Sequence, residues 1–234
     1  MIIGEEKSEI TILPLRHKNN HMFVEIDNEM WLVDTGAPTS FGDSNCITVG
    51  SEQFYLDESY HSYTADTISH YVGVTCAGLI GVDFLNHFDV IFDTSNSKLT
   101  LSATEITCDG QRLQMESFMG IPIITVQIGG RDLRMILDTG AQISYFQDKS
   151  LTEFPTAGIF KDFHFTVGLF DTETYNVPML LGELPTTLRC GGFLPDSIVS
   201  ILTAASVYGI IGNEVFNNRI VGYFPRRNSL VISR

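Results

Sequence analysis

Residues 31–37 read Trp-Leu-Val-Asp-Thr-Gly-Ala, and residues 135–141 read Met-Ile-Leu-Asp-Thr-Gly-Ala. In each copy an apolar strand runs into an Asp-Thr-Gly turn, which places a carboxylate, Asp34 or Asp138, where the strand ends. One such turn would carry little information, because Asp and Gly are common turn residues. Here the flanks repeat as well. An outgoing strand precedes each copy, Met22–Ile26 in the first half and Pro122–Ile128 in the second. An apolar-apolar-Gly step follows each, Leu79-Ile80-Gly81 and Ile210-Ile211-Gly212. Two equivalent half-sites in one chain imply a pseudo-twofold molecule whose aspartates meet on the axis.

This duplicated pattern resembles the aspartic proteases, the pepsin and retropepsin superfamily. The resemblance implies an all-β fold of two similar barrel-like lobes with few short helices, each lobe giving one Asp-Thr-Gly to a shared site. It implies Asp34 and Asp138 as the catalytic pair, with Thr35 and Thr139 hydrogen-bonded across the axis. Gly36 and Gly140 would let backbone N–H groups approach the carboxylates, and Gly81 and Gly212 would pack beneath the two turns. At 234 residues the chain is shorter than most pepsins and about twice a retropepsin subunit. A fused retropepsin dimer and a pared-down pepsin both fit, with lobes at 1–108 and 109–234 and a joint at Thr107-Cys108-Asp109-Gly110-Gln111.

The chemistry wants this pairing. Two carboxylates ~3 Å apart cannot both ionise cheaply and therefore share a proton. The ionised member can activate water while the protonated one polarises a scissile carbonyl. The expected activity is an aspartic endopeptidase acting on extended peptide, with no metal and no cofactor. The alternative is a non-cleaving peptide-binding or regulatory module on the same scaffold. Intact Asp-Thr-Gly in both halves argues against it, since a non-catalytic module has no chemical reason to keep both carboxylates.

Other classes fare worse. The formal net charge of −14, from 28 acidic and 14 basic residues, disfavours nucleic acid, which basic patches bind. No His-Glu-x-x-His, Gly-x-Ser-x-Gly or phosphate loop occurs. No apolar run approaches the ~20 residues that cross a bilayer. Met1-Ile2-Ile3 followed by Gly4-Glu5-Glu6-Lys7 is too short and acidic for a secretory leader, and the four cysteines lack Cys-x-x-Cys spacing. The expectation is a cytoplasmic monomer with reduced thiols, whose partner is a peptide or protein substrate. Arg226-Arg227 reads as a surface turn.

Between the Asp turn and the apolar-Gly step the second half is much the longer. Phe163–Phe170 and Thr174–Leu181 alternate around Asp171-Thr172-Glu173, so the expected flap over the cleft is a Phe163–Leu181 hairpin with its tip there. A shorter candidate lies at Phe54–Thr67. Asp196–Val207 reads as a helix with Ile198, Ile201, Leu202 and Ala205 on one face, stopped by Gly209, and Val82–Asn86 as a single helical turn. The tight turns are expected at Asp27-Asn28-Glu29 and, slightly longer, at Gly129-Gly130-Arg131-Asp132. Ala37 and Ala141 stand where pepsin-type enzymes often carry a hydroxyl. Without that donor the dyad should keep its proton to higher pH, which predicts activity in mildly acidic to near-neutral buffer.

Overall fold

The computed structural model describes residues 10–164, 168–192, 194 and 196–233. The first half opens with an antiparallel meander, β1 (Ile10–Lys18), β2 (His21–Ile26) and β3 (Glu29–Val33). It continues through β4 (Phe41–Gly42), β5 (Cys46–Val49), β6 (Glu52–Tyr55), α1 (Ala65–Val72), β7 (Gly78–Ile80), α2 (Val82–Leu85), β8 (Asp89–Asp93) and β9 (Lys98–Ser102). The second half starts the same way with β10 (Gln111–Phe118), β11 (Ile121–Ile128) and β12 (Arg131–Leu137). It adds β13 (Ser144–Phe146), β14 (Thr156–His164), β15 (Gly168–Leu181), β16 (Leu184–Gly191), α3 (Asp196–Ala204) and β17 (Gly209–Ile211). A 3-10 turn at Asn213–Phe216, then β18 (Ile220–Phe224) and β19 (Ser229–Ile232), close the chain. Thr107 to Gly110 of the expected joint are in the irregular stretch between β9 and β10, and Gln111 already begins β10.

The halves repeat in topology. β7 lies between β3, with which it is parallel, and β4, with which it is antiparallel. β17 lies in the same way between β12 and β13. The two halves then share a six-stranded antiparallel sheet in the order β1–β9–β8–β18–β19–β10, with the β8–β18 pairing at its centre. One apolar cluster runs through both halves, from Leu15, Trp31 and Val33 to Leu137, Ile211 and Val221.

Local chemistry explains the hairpins. The β2–β3 turn is two residues, Asp27-Asn28, with φ of +52° and +66°, and the β11–β12 turn is Gly129-Gly130, with φ of +58° and +76°. Two central residues at positive φ match the twist of the flanking strands, and Asn, Asp and Gly tolerate that conformation best. The second turn is therefore no longer than the first, because Arg131 and Asp132 already belong to β12. β1 likewise continues through Arg16-His17-Lys18 and turns at Asn19-Asn20.

The second half departs further from the sequence reading. β14 pairs with β15 from His164↔Gly168 to Ile159↔Glu173, so Asp171-Thr172-Glu173 lie inside a 14-residue strand and form no tip. The connection is at 165–167, outside the described residues. α3 ends at Ala204, before Gly209. Ser206, at φ +54°, donates its N–H to Thr203 O, and Val207 donates to Leu202 O, a Schellman closure that needs no glycine. Ile198, Leu202 and Ala205 are buried as expected, whereas Ile201 is 48% exposed.

Arg226 and Arg227 are not a free surface turn. Both guanidinium groups pair with Asp89, which is fully buried, and they also bond the carbonyls of Ala103 and Ile106, just ahead of the expected joint.

Candidate active site

Asp34 and Asp138 leave the ends of β3 and β12 as each chain turns away from its neighbouring strand. Their backbone N–H groups still complete the ladder, Asp34 to Ile80 O at 2.9 Å and Asp138 to Ile211 O at 2.9 Å. The turn then folds back on its own carboxylate. Gly36 N–H donates to Asp34 Oδ1 at 2.8 Å, and Gly140 N–H and Ala141 N–H donate to Asp138 Oδ1 at 2.8 and 3.1 Å.

The two turns interlock. Thr35 N–H donates to Thr139 Oγ1 at 2.9 Å, and Thr139 N–H donates to Thr35 Oγ1 at 3.0 Å. Each hydroxyl in turn donates across the axis, Thr35 to Leu137 O at 2.7 Å and Thr139 to Val33 O at 2.8 Å. Both threonines have 0% exposure, so these four bonds have no competing water. The interlock lays each carboxyl group against the other turn, Asp138 beside Gly36 and Asp34 beside Gly140. A side chain on either turn glycine would destroy this arrangement. A Cβ at Gly36 would overlap the Asp138 carboxyl group, and one at Gly140 would lie 2.5 Å from Asp34 Cγ.

Burial pushes both carboxyl groups above the usual carboxylate range. For Asp34 the facing Asp138 charge and its hydrogen bond push the same way, against the N–H groups of Gly36 and Ala37. For Asp138 the bond from Asp34 and the N–H groups of Ala141 and Gly140 pull back, while the Asp162 carboxylate pushes further up. The pair therefore holds a proton as a unit.

Gly81 and Gly212 lie beneath the turns, as the resemblance implied: Val82 N–H reaches Ala37 O at 2.9 Å and Asn213 N–H reaches Ala141 O at 2.9 Å. Their own N–H groups are taken by two residues that the sequence reading missed, Ser40 Oγ at 2.8 Å and Ser144 Oγ at 3.1 Å. The signal was available, since a serine stands six residues after the aspartate in both copies. Other cross-half contacts had no such signal. Asn213 Nδ2 donates to Asn20 O at 2.8 Å, and His21 Nε2 lies 2.6 Å from Gln142 Nε2. Burial lowers the His21 pKa to about 4 despite the nearby Gly140 backbone, so the imidazole is neutral near pH 7.

The second-half hairpin is tied to β13 and to α1. Tyr145, on β13, donates its hydroxyl to Asp162 Oδ2 on β14, and Phe163 N–H donates to Asp162 Oδ1 at 2.8 Å. Phe163 stacks on Tyr71 of α1, with ring centroids 3.4 Å apart and planes at 17°. The first-half candidate at Phe54–Thr67 is built otherwise. β5 and β6 form their own short hairpin, with Phe54 packed edge-on to Phe84 and His87, and the chain then enters α1.

No family model and no curated protein matches the chain. Among solved structures it is similar to the crystal structure of an aspartic proteinase from Irpex lacteus, with a TM-score of 0.54 and 12% identity, over 96% of this chain and 97% of that one. The fold is that of a pepsin-like aspartic proteinase, mostly strands around a large sheet with three helices among the described residues.

Proposed function

We propose that the chain is an aspartic endopeptidase, with Asp34 and Asp138 as its acid–base pair. The observation that carries this reading is the reciprocal threonine interlock, which seats two carboxylates against each other with their turn N–H groups aimed at them. Of two facing carboxyl groups that keep one proton, the ionised member takes a proton from water and the protonated member polarises the peptide carbonyl. Thr35 and Thr139 fix the separation, and Gly36 and Gly140 admit the facing carboxyl group. An extended peptide would lie between the halves as an added strand, its side chains in apolar pockets. The pepsin-like fold supports the reading.

The test is mass spectrometry of a peptide library incubated between pH 4 and 7.5 with the unmodified protein, Asp34→Asn and Asp138→Asn. Cleavage that disappears in both variants is the expected result. Peptide that binds but stays intact at every pH would instead identify a non-cleaving binding module.

A further inference from the structure

We propose that Asn213 is a positioning residue for Asp138, holding the second catalytic turn from a footing on the opposite half at Asn20. Its effect on activity rests on the peptidase reading; the hold on the turn does not.

A side-chain amide has two N–H donors, and Asn213 uses both. One goes to Asn20 O at 2.8 Å, in the turn between β1 and β2, and the other to Thr139 O at 3.2 Å. Its backbone N–H takes Ala141 O at 2.9 Å. Asn213 therefore holds the carbonyls of both residues that flank Gly140. It is only 5% exposed, so water competes little for these bonds.

The Thr139 contact reaches the carboxyl group through one peptide unit. A peptide bond is planar, so Thr139 O and the Gly140 N–H are opposite ends of a single rigid plate. Asn213 holds the oxygen end, and the N–H end donates to Asp138 Oδ1 at 2.8 Å. A donor on the oxygen also polarises the N–H and strengthens its bond to the carboxylate. Asn213 thus sets the direction and the strength of a bond that favours charge on Asp138.

The footing is itself held. Asn19 and Asn20 turn the chain at φ +48° and +60°, and Asn19 Nδ2 donates to Val72 O and Gly73 O, each at 3.1 Å, at the end of α1. The first half is built differently. Val82 stands where the second half has Asn213, each directly after the glycine of its apolar-Gly step, and valine has no side-chain donor. It packs instead in the cluster that holds Ile121 and Ile123 of β11. In the turn between β10 and β11, Gly120 O is taken by Asn86 Nδ2 at 3.0 Å. Side-chain support of a catalytic turn from this position is therefore one-sided.

The titratable groups around the second turn are Asp34 from the facing turn, Asp162 from β14 and His21 from β2 beside Gln142. Glu214, next to Asn213, accepts instead from the Arg189 N–H. All four stay in place in the variants that follow.

Amide exchange measured by NMR on the peptide-free protein tests the hold. Asn213→Leu keeps the volume and removes both donors, so exchange at Gly140 should speed about twofold to tenfold, while Gly36, β8 and β18 keep their protection. Asn213→Ser, whose single hydroxyl cannot serve both carbonyls, should do the same and covers the case in which leucine is not accommodated. Asn19→Ala loosens the footing with Asn213 still present, and should give a smaller change of the same sign. Unchanged exchange at Gly140 in both Asn213 variants overturns the hold, as does equal loss of protection at Gly36 or in the central sheet. Unchanged exchange in Asn19→Ala overturns the footing on the opposite half. On a cleaved peptide, weaker N–H support disfavours charge on Asp138. The lower limb of the pH–rate profile should then move up by about half a unit or more in Asn213→Leu, with kcat down about twofold to tenfold and KM little changed. A lower limb that stays in place while activity falls would mean a merely structural loss and overturns the positioning role. If the unmodified protein cuts nothing while exchange behaves as stated, the peptidase reading fails and the hold stands.

Discussion

Asp34 is buried and Asp138 half-buried, each faces its own kind, and both pKa values are raised, so the native state holds a proton that the unfolded chain releases near pH 4. A raised carboxyl pKa gives stability that is complete below the unfolded value and is lost as pH rises through the native one. Thermal melts should therefore show stability falling from about pH 4 toward neutrality, and Asp138→Asn should flatten that slope while abolishing cleavage. The flattening is partial, because burial also raises Asp162 and Glu214. A steeper slope in Asp138→Asn would refute this account of the pair. The methyl groups of Ala37 and Ala141 bear on the same proton. Replacing Ala141 by Ser supplies a hydroxyl donor that favours the charged form, so the upper limb of the pH–rate profile should move to lower pH. An optimum well below pH 4 in the unmodified protein would show that the alanines do not govern it.

At the scale of elements, what could be read in the sequence was whatever repeated at short range. The β2–β3 and β11–β12 hairpins show period-two patterning around Asp-Asn and Gly-Gly, and the β7 and β17 steps end in glycine, so all four were placed to within a residue or two. β15 escapes a local reading because a polar run, Asp171 to Glu173, looks like a turn when only its neighbours are considered. Its partners on β14 and β16 make it a strand, and those pairings are not local. The Asp-Thr-Gly residues were legible for the same reason as the hairpins, whereas His21 with Gln142 and Tyr145 with Asp162 meet only through the fold. Arg226-Arg227 is the clearest case. Two adjacent cations suggest solvent, yet they neutralise a carboxylate 137 and 138 residues away and hold the carbonyls of Ala103 and Ile106 just ahead of the joint. Removing one side of such a buried group costs about 3–5 kcal/mol. Asp89→Ala should lose stability of that order in urea titrations. A change below ~0.5 kcal/mol, the range of an ordinary surface substitution, would mean that the arginines are adequately solvated without it.

For the molecule as a whole, the six-stranded sheet and the threonine interlock connect the halves at two separate levels, and one apolar cluster runs between them. Such a chain should unfold as one unit despite its internal repeat. Its one tryptophan, Trp31, lies in β3 just before Asp34 and is 1% exposed, so its fluorescence reports on the first half, while far-ultraviolet dichroism reports on both. The two denaturation curves should coincide. Separate midpoints would show that either half can stand alone.

The approach of Gly36 to the Asp138 carboxyl group, and of Gly140 to that of Asp34, has a consequence for heredity. After a duplication, two copies within one gene are ordinarily free to drift. Here each copy's glycine is tolerated or rejected by the aspartate of the other, so a lesion at codon 36 has its phenotype at codon 138. The reading frame stores two halves, but at these four codons selection sees only one locus.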